Sequence, residues 1–336
     1  MPDADAIVLR EHGGPEVLRM ETIPLDHPAS GELLVRQTAI GVNFHDCYVR
    51  SGLYSTMTLP GVPGLEAIGV IEEIGPGVRG WTIGDRVGWI SPSYGGYASR
   101  RILPVGLALG LPDSLGDAQA AASLMKAMTV SVLVRRVHAV RPGQRVLIHA
   151  GAGGVGQLLC NWCNYLGAEV IATVGNPAKA DVASSAGAHI VIDYSNENFV
   201  ERVRAVTDDQ GVDVVYDGIG RDTFSGSLDC LAYEGTLVNY GQASGPVAPF
   251  TPSVLATRSL QVARPVVFHY TRTDDRLHAL ARDAFDAFEA GVLRPLEPLR
   301  LPLAEAEDAH RLLESRQSPG GIVLVPGDAS LTQSRP

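Results

Sequence analysis

The chain has 336 residues, long enough for two domains, and 45% of them are hydrophobic, enough to fill two cores. A net charge of −10 argues against a nucleic-acid partner, which would require a basic face. Four cysteines, Cys47, Cys160, Cys163 and Cys230, are too few for a disulfide scaffold. The first residues carry acids and no long apolar region, so no signal peptide is expected. The apolar run 120–134 is interrupted by Lys126, so no membrane span is expected either. These features predict a soluble, cytoplasmic protein.

Residues 1–125 read as mostly β. Val8–Arg10 and Glu32–Ala39 are expected strands, with turns at His12–Pro15 and His27–Gly31 between them. Gly69–Ile74 alternates and runs into Gly75-Pro76-Gly77, a turn. Another strand starts at Gly84–Val87, and Gly95–Ala98 breaks the next. Many short strands with Gly/Pro punctuation predict a closed or partly closed barrel. From about Leu115 the pattern becomes helical, with Asp117–Val137 as a connecting helix.

Strands and helices then alternate. The expected strands are Val146–His149, Glu169–Val174, His189–Ile192, Val212–Tyr216 and Gly235–Tyr240. Helices over Val155–Leu166, Pro177–Ala186, Glu197–Thr207 and Asp222–Cys230 separate them. This alternation predicts a doubly wound parallel sheet, with Ser259–Val267 as its last strand. Asp274–Ala290 is an expected helix, Gly320–Val325 a strand, and the residues from Gly327 onward a frayed tail.

The segment from Arg145 to Gly156 organises the second half. An apolar strand is followed by Gly151, Gly153 and Gly156 in the spacing G-x-G-x-x-G, and then by a helix. The first glycine permits a tight turn, the second lets backbone approach a pyrophosphate, and the third lets helix pack on strand. The helix N terminus adds N–H groups and partial positive charge. The Cys160-x-x-Cys163 pair lies inside that helix and reads as two small core residues rather than a redox pair.

The identity of the nucleotide is read from the end of the next strand. No carboxylate follows Val174-Gly175-Asn176, where an NAD-binding sheet places one for the ribose hydroxyls. Lys179 stands there instead, and it is one of only two lysines, with Lys126, among 27 lysines and arginines. An ammonium without a neighbouring acid attracts a 2′-phosphate, so the sign of charge favours NADPH.

Several motifs agree at once: His12–Leu18, Gly41-Val-Asn-Phe44, Arg50–Tyr54, Gly84–Val87, Ala150–Gly156 and Val214–Asp217. Together they resemble the medium-chain dehydrogenase/reductase superfamily, in its zinc-free quinone oxidoreductase (zeta-crystallin-like) branch. The resemblance runs in order from about Ile7 to Val325. It implies an α/β protein: a GroES-like β-barrel catalytic domain (1–125 and 268–336) and a Rossmann domain with a doubly wound parallel sheet (126–267). It further implies a homodimer paired through Ser259–Val267, a substrate in the cleft between the domains, and NADPH as cofactor.

Zinc enzymes of the superfamily use a Cys after a Gly-Val pair and a His in Gly-His-Glu. Here those positions hold Asn43 and Leu65, which are poor zinc ligands. Without a Lewis acid, conjugated acceptors are the easier hydride acceptors, because their charge spreads and hydrogen-bond donors suffice. The expected substrate is a quinone. Enones, enals or 2-haloacrylates are the alternative, and for a carboxylate substrate Arg50, Lys126 or Arg264 would gain interest. A non-catalytic NADPH-binding protein is the third reading.

The resemblance assigns Asn43 to orient the acceptor or the nicotinamide ribose, Asp46 to orient its loop, and Tyr54 to donate a hydrogen bond, with Tyr48 second. Both tyrosines could equally be packing residues. Cofactor positions carried over are Phe44, Thr129, Gly151, Gly153, Gly154, Val155, Gly156, Gly175, Asn176, Lys179, Tyr194, Ile219, Gly241, Val266, Val267 and Arg316. His45, beside Asn43, reads as a loop or rim residue.

Overall fold

The structure is a computed structural model, and it describes residues 2–316 and 320–327. The expected tail therefore lies outside the described residues from position 328 onward. The chain separates into two compact units. One holds Met1–Met125, Thr271–Phe285 and Pro295–Pro336; the other holds Lys126–Tyr270 and Asp286–Arg294.

The first unit starts with an antiparallel pair, β1 (Asp3–Leu9) and β2 (Leu18–Pro24), in which Ile7 faces Met20. The strand expected at Val8–Arg10 thus begins earlier, and the second strand was not foreseen. Its alternation, Leu18-Arg19-Met20-Glu21, spans only four residues, and Met20 on the apolar side is 42% exposed. Strand β3 (Glu32–Val42) runs three residues beyond the expected end at Ala39. Helix α1 (Phe44–Arg50) follows directly, where a loop was expected. Then come β4 (Glu66–Ile74), β5 (Arg86–Ile90), β6 (Arg100–Pro104), β7 (Leu109–Gly110) and α2 (Asp117–Val132). The helical path continues past α2 as a π turn over Leu133–Val137, so the expected single helix changes type near its end.

The second unit contains β8 (Arg145–Ile148), α3 (Gly154–Tyr165), β9 (Glu169–Val174), α4 (Ala180–Ser185), β10 (Ile190–Asp193) and α5 (Phe199–Val206). It continues with β11 (Val212–Asp217), α6 (Phe224–Cys230), β12 (Leu231–Asn239) and β13 (Gln261–Ala263). The chain ends with α7 (Asp274–Glu289), β14 (Leu299–Pro302), α8 (Ala306–Glu314) and β15 (Ile322–Val325).

Strand β3 is the spine of the first unit's seven-stranded sheet, ordered β14-β15-β3-β4-β5-β7, and it also pairs with β6. A strand with this many partners must be apolar on both sides, and Leu33, Leu34, Val35, Ala39, Ile40 and Val42 are all buried. Trp89, Tyr97, Leu103 and Leu324 close the same core. Each such side chain contributes roughly 1.5–3 kcal/mol on burial.

The second unit is a six-stranded, all-parallel sheet in the order β10-β9-β8-β11-β12-β13. Its order reverses between β8 and β11, the switch point where ligands of doubly wound sheets bind. Leu147, Ile171, Ile192, Val215 and Leu237 fill one core face. The expected last strand, Ser259–Val267, shrinks to Gln261–Ala263. Ser259 at φ 55° cannot be extended, Pro265 removes a donor, and a short 3-10 turn begins at Val267. Among the described residues, no helix is long and apolar enough to cross a membrane.

Candidate active site

In the first unit, Asn43 is the N-cap of α1 and is buried. Its backbone N–H donates to Asp46 Oδ2 at 2.8 Å, so Asp46 orients Asn43 from within the helix rather than from a loop. The side-chain amide of Asn43 donates to Glu66 Oε1 at 2.8 Å. The other oxygen of Glu66 accepts the Met125 N–H, also at 2.8 Å. Gly41 is required beside this pair, because an added Cβ would lie 2.5 Å from Glu66 Oε1.

Behind Asp46 lies a buried polar chain. Tyr97 Oη donates to Asp46 Oδ2 at 3.2 Å and meets His310 Nε2 at 3.0 Å. His310 Nδ1 lies 3.2 Å from Arg50 Nη1, and Arg50 is bound twice by Glu314, at 2.7 and 3.2 Å. Burial, and then Arg50, pull the His310 pKa to about 3, so its ring is neutral. Burial pushes Tyr97 well above the ordinary phenol value. Asp46, Tyr97 and His310 are each 0% exposed. Arg50, a candidate for a carboxylate substrate, is committed to Glu314 and Gly13 and is 3% exposed. Nothing in the spacing of 46, 50, 97 and 310 could have predicted this chain, since α8 is joined to α1 only by the fold.

An aromatic group flanks Asn43. His45 stands edge-on to Tyr54 at 5.2 Å between ring centroids, and Tyr54 stands edge-on to Tyr48 at 5.1 Å. Phe44 lies 6.2 Å from Tyr48. Tyr94 Oη is 3.2 Å from His45 Nε2 and 2.5 Å from Thr56 Oγ1. Burial lowers the His45 pKa to about 4. Asn43, Phe44, Asp46 and Tyr54 are therefore brought together. His45, read as a rim residue, is half-buried within their cluster.

In the second unit, the turn from β8 to α3 is built as a cradle. Ala150 adopts φ 54°, Gly151 N–H donates to Thr173 O at 2.9 Å, and Gly153 is the N-cap of α3. No side chain caps that helix. A Cβ on Gly151 would lie 2.7 Å from Ala172 Cβ, and one on Gly156 would enter the Ala150 carbonyl. Gly153 and Gly154 thus present bare backbone at a helix N terminus, with Val155 beside them and Gly156 packed under the turn, which fits a pyrophosphate.

Gly175, Asn176 and Lys179 follow β9. Asn176 Oδ1 accepts the Lys179 N–H at 3.2 Å and starts a 3-10 turn. Tyr194, just past β10, is 38% exposed, and its hydroxyl would sit 2.7 Å from a Cβ on Gly175. Gly175, Asn176, Lys179 and Tyr194 therefore gather at one edge.

On the other side of the switch point, Asp217 is 0% exposed and caps the β11 loop. Its Oδ1 accepts from Ile219 N, Gly220 N and Thr223 Oγ1 at 2.8, 3.0 and 2.9 Å. This fixes Ile219, while Gly241 packs so closely that its Cβ would lie 2.6 Å from Gly218 O. Asp217 was legible only as part of a motif, without a role. Thr129 lies on the part of α2 within this unit. Val266 is 40% exposed and Val267 opens the 3-10 turn after β13. Arg264 donates to Asn239 O at 3.0 Å. Arg316 belongs to the first unit, exposed in the turn after α8 at φ 59°.

The residues that stand where zinc relatives have ligands do not fit a zinc ion. Asn43 offers an amide already bonded to Glu66, and Leu65 is 1% exposed in an apolar core. Among the described residues, no three of His, Cys, Asp and Glu gather in a metal-binding group.

Comparison with known proteins shows the family and the fold. The alcohol dehydrogenase GroES-like domain matches residues 29–113, and the zinc-binding dehydrogenase domain matches 154–282. A quinone oxidoreductase from Salmonella typhimurium is 41% identical over 326 residues, 96% of this chain and 100% of the relative. The chain belongs to the quinone oxidoreductase branch of the medium-chain dehydrogenase/reductase superfamily. A 2-haloacrylate reductase from Burkholderia sp is also 41% identical, over 96% of this chain and 98% of that protein. The crystal structure of Escherichia coli quinone oxidoreductase complexed with NADPH superposes with a TM-score of 0.92 at 39% identity, covering 96% of this chain and 100% of that one. Members of this branch are oxidoreductases, and the fold is the GroES-like barrel plus Rossmann sheet that the resemblance implied.

Proposed function

We propose that this protein is an NADPH-dependent quinone reductase that works without zinc. The observation that carries the reading is the glycine cradle at the N terminus of α3, with Lys179 where an NAD-binding sheet would carry an acid. In this reading Gly151, Gly153, Gly154, Val155 and Gly156 hold the pyrophosphate. Lys179, with Asn176, Gly175 and Tyr194, holds the 2′-phosphate. Ile219 and Gly241 wall the ribose side, and Phe44, Thr129, Val266, Val267 and Arg316 complete the cofactor contacts. When bound, the reduced nicotinamide supplies a hydride.

Asn43, held by Asp46 and Glu66, presents a fixed polar group to the acceptor oxygen. Tyr54, held edge-on by His45 and Tyr48, supplies an aromatic wall and a hydroxyl. Charge that develops on a conjugated acceptor is delocalised, so hydrogen-bond donors of this kind suffice. The catalytic domain is then 1–125 with 268–336, and the nucleotide domain 126–267. The same reading makes the protein a cytoplasmic homodimer. Its paired edge is the three-residue β13, and sedimentation of a Val262→Pro variant as a monomer tests that pairing.

A second reading, reduction of activated C=C bonds, is favoured by the 2-haloacrylate reductase at equal identity. The deciding experiment is NADPH oxidation against quinones, enones and 2-haloacrylates, with NADH alongside. Quinone turnover that prefers NADPH supports the first reading, and turnover of haloacrylates alone supports the second. Tight NADPH binding with no turnover of any acceptor would favour a non-catalytic binding protein.

A further inference from the structure

Hydride addition to a conjugated acceptor leaves an anion that needs a proton. Around Asn43, Asp46, Tyr97 and His310 are sealed from water and bonded to one another. His45 differs. It is the second residue of α1, half-buried, and its Nδ1 has no hydrogen-bond partner among the described residues. Its Nε2 faces Tyr94 Oη at 3.2 Å, and Tyr94 Oη touches Thr56 Oγ1 at 2.5 Å. Tyr94 is 5% exposed, whereas Thr56 is exposed. The three side chains therefore form a hydroxyl–hydroxyl–imidazole line from the surface to the cluster that holds Asn43 and Tyr54.

The backbone supports the same conclusion. Tyr94 adopts φ 59°, a left-handed conformation that is unfavourable for a bulky residue. It is held there because Gly95 N–H donates to Val62 O at 2.9 Å and Gly96 N–H to Gly64 O at 3.1 Å. Such strain persists where the surroundings over-determine it, and it clusters at functional sites.

We propose that His45, resupplied through Tyr94 and Thr56, protonates the reduced acceptor. The proposal rests on the reading above, reduction of a conjugated acceptor. For an enone, hydride adds to the β-carbon and the π electrons move to the carbonyl oxygen. The α-carbon of the enolate then takes the Nδ1 proton of His45. Nε2 takes the proton of Tyr94 Oη, the Tyr94 oxygen takes that of Thr56, and Thr56 takes one from water, leaving hydroxide in bulk. An imidazole that burial keeps neutral has one donor and one acceptor nitrogen, as such a relay requires.

The test is reduction of 2-methylcyclohexenone by NADPH deuterated at the transferred position, reading the configuration of both product carbons. The wild-type protein is expected to fix both. His45→Leu and Tyr94→Phe should lower kcat by about 10²-fold, the lower end for general acid catalysis, and randomise the α-carbon while the β-carbon keeps its configuration. Tyr54→Phe should leave the α-carbon configuration intact. The configuration is read on whatever product forms, so a partly unfolded variant still reports. An unchanged α-carbon in both relay variants overturns the relay, as does a random α-carbon from the wild-type protein. Loss of configuration in Tyr54→Phe alone transfers the role to Tyr54. If the wild-type protein turns over quinones but no enone, the relay is tested by kcat on the quinone, and equal rates overturn it. If neither quinones nor enones support NADPH oxidation by the wild-type protein, the reading of function fails and the relay with it.

Discussion

The cradle of the second unit and the polar cluster of the first hold their groups by opposite means. In the cradle almost every contributing group is backbone: Ala150 and Gly151 turn the chain, Gly153 caps α3, and the absence of Cβ atoms leaves room. In the cluster almost every contributing group is a side chain. Asn43, Asp46, Glu66, Tyr97 and His310 come from two helices, a strand and a loop, and each is buried. A backbone cradle is specified within a dozen residues and binds a ligand common to many proteins. A side-chain cluster is specified across 268 positions, from Asn43 to His310 (310 minus 43, both counted), and can be changed one group at a time.

The largest expected effect breaks the cradle. Gly156→Val places atoms in the Ala150 carbonyl, so the turn must open. NADPH binding, followed by titration calorimetry, should fall by roughly 10²-fold or more, as one to two lost backbone contacts to a charged group imply. If the affinity is unchanged, α3 does not carry the pyrophosphate.

The next effect tests the cluster by acid. An unfolded histidine binds a proton near pH 6.5, whereas buried His310 does so only near 3 and His45 near 4. The unfolded state therefore binds more protons between these values. The stability from neutral, buried histidine is complete above about pH 6.5 and is lost as pH falls toward 3. The loss is at most about 1.4 kcal/mol per pH unit for one histidine. Urea unfolding at pH 7, 6 and 5 measures it. In His310→Gln the slope should be shallower by about one proton, and an unchanged slope would mean that His310 is not buried as described.

Glu66→Gln keeps the shape of the acid while removing its charge. The amide of Asn43 and the N–H of Met125 lose charge-assisted acceptors, so stability should fall by about 1.5–3 kcal/mol in urea unfolding. Quinone turnover should fall along with it, whereas NADPH affinity, which belongs to the cradle, should hold. A loss of affinity equal to the loss of turnover would erase the contrast between the two regions.

The most selective effect sharpens the cofactor preference. Lys179→Ala should weaken NADPH by about one to two orders of magnitude, roughly 1.5–3 kcal/mol, and leave NADH nearly unchanged. Equal losses for both would show that Lys179 does not touch the 2′-phosphate.

How much was legible follows the same divide. The G-x-G-x-x-G turn, the missing acid after β9 and the strand–helix alternation were readable because each is local and periodic. Helix α1 was not, since seven residues with Tyr48 and Cys47 among polar neighbours show no clear period, and its N-cap geometry is what declares it. The strand expected over Ser259–Val267 misled for the converse reason. Its apolar residues alternate, but Ser259 and Pro265 limit the extended backbone to Gln261–Ala263. Asp46 was credited with orienting its loop, but its bond to the Asn43 N–H and its own support by Tyr97 and His310 could not be inferred. Tyr94, the middle of the proposed proton line, gave no signal either, because its left-handed backbone and its contact with His45 exist only in the folded chain.

By itself the sequence determined the two-part architecture, the backbone cradle and the sign of charge beside it, because glycine spacing, hydrophobic period and charge act over a few neighbouring residues. Only the tertiary structure decided which buried acids and rings support Asn43. Those partners are distant along the chain, and hydrogen bonds among them form only once β3, α1 and α8 have packed around one core.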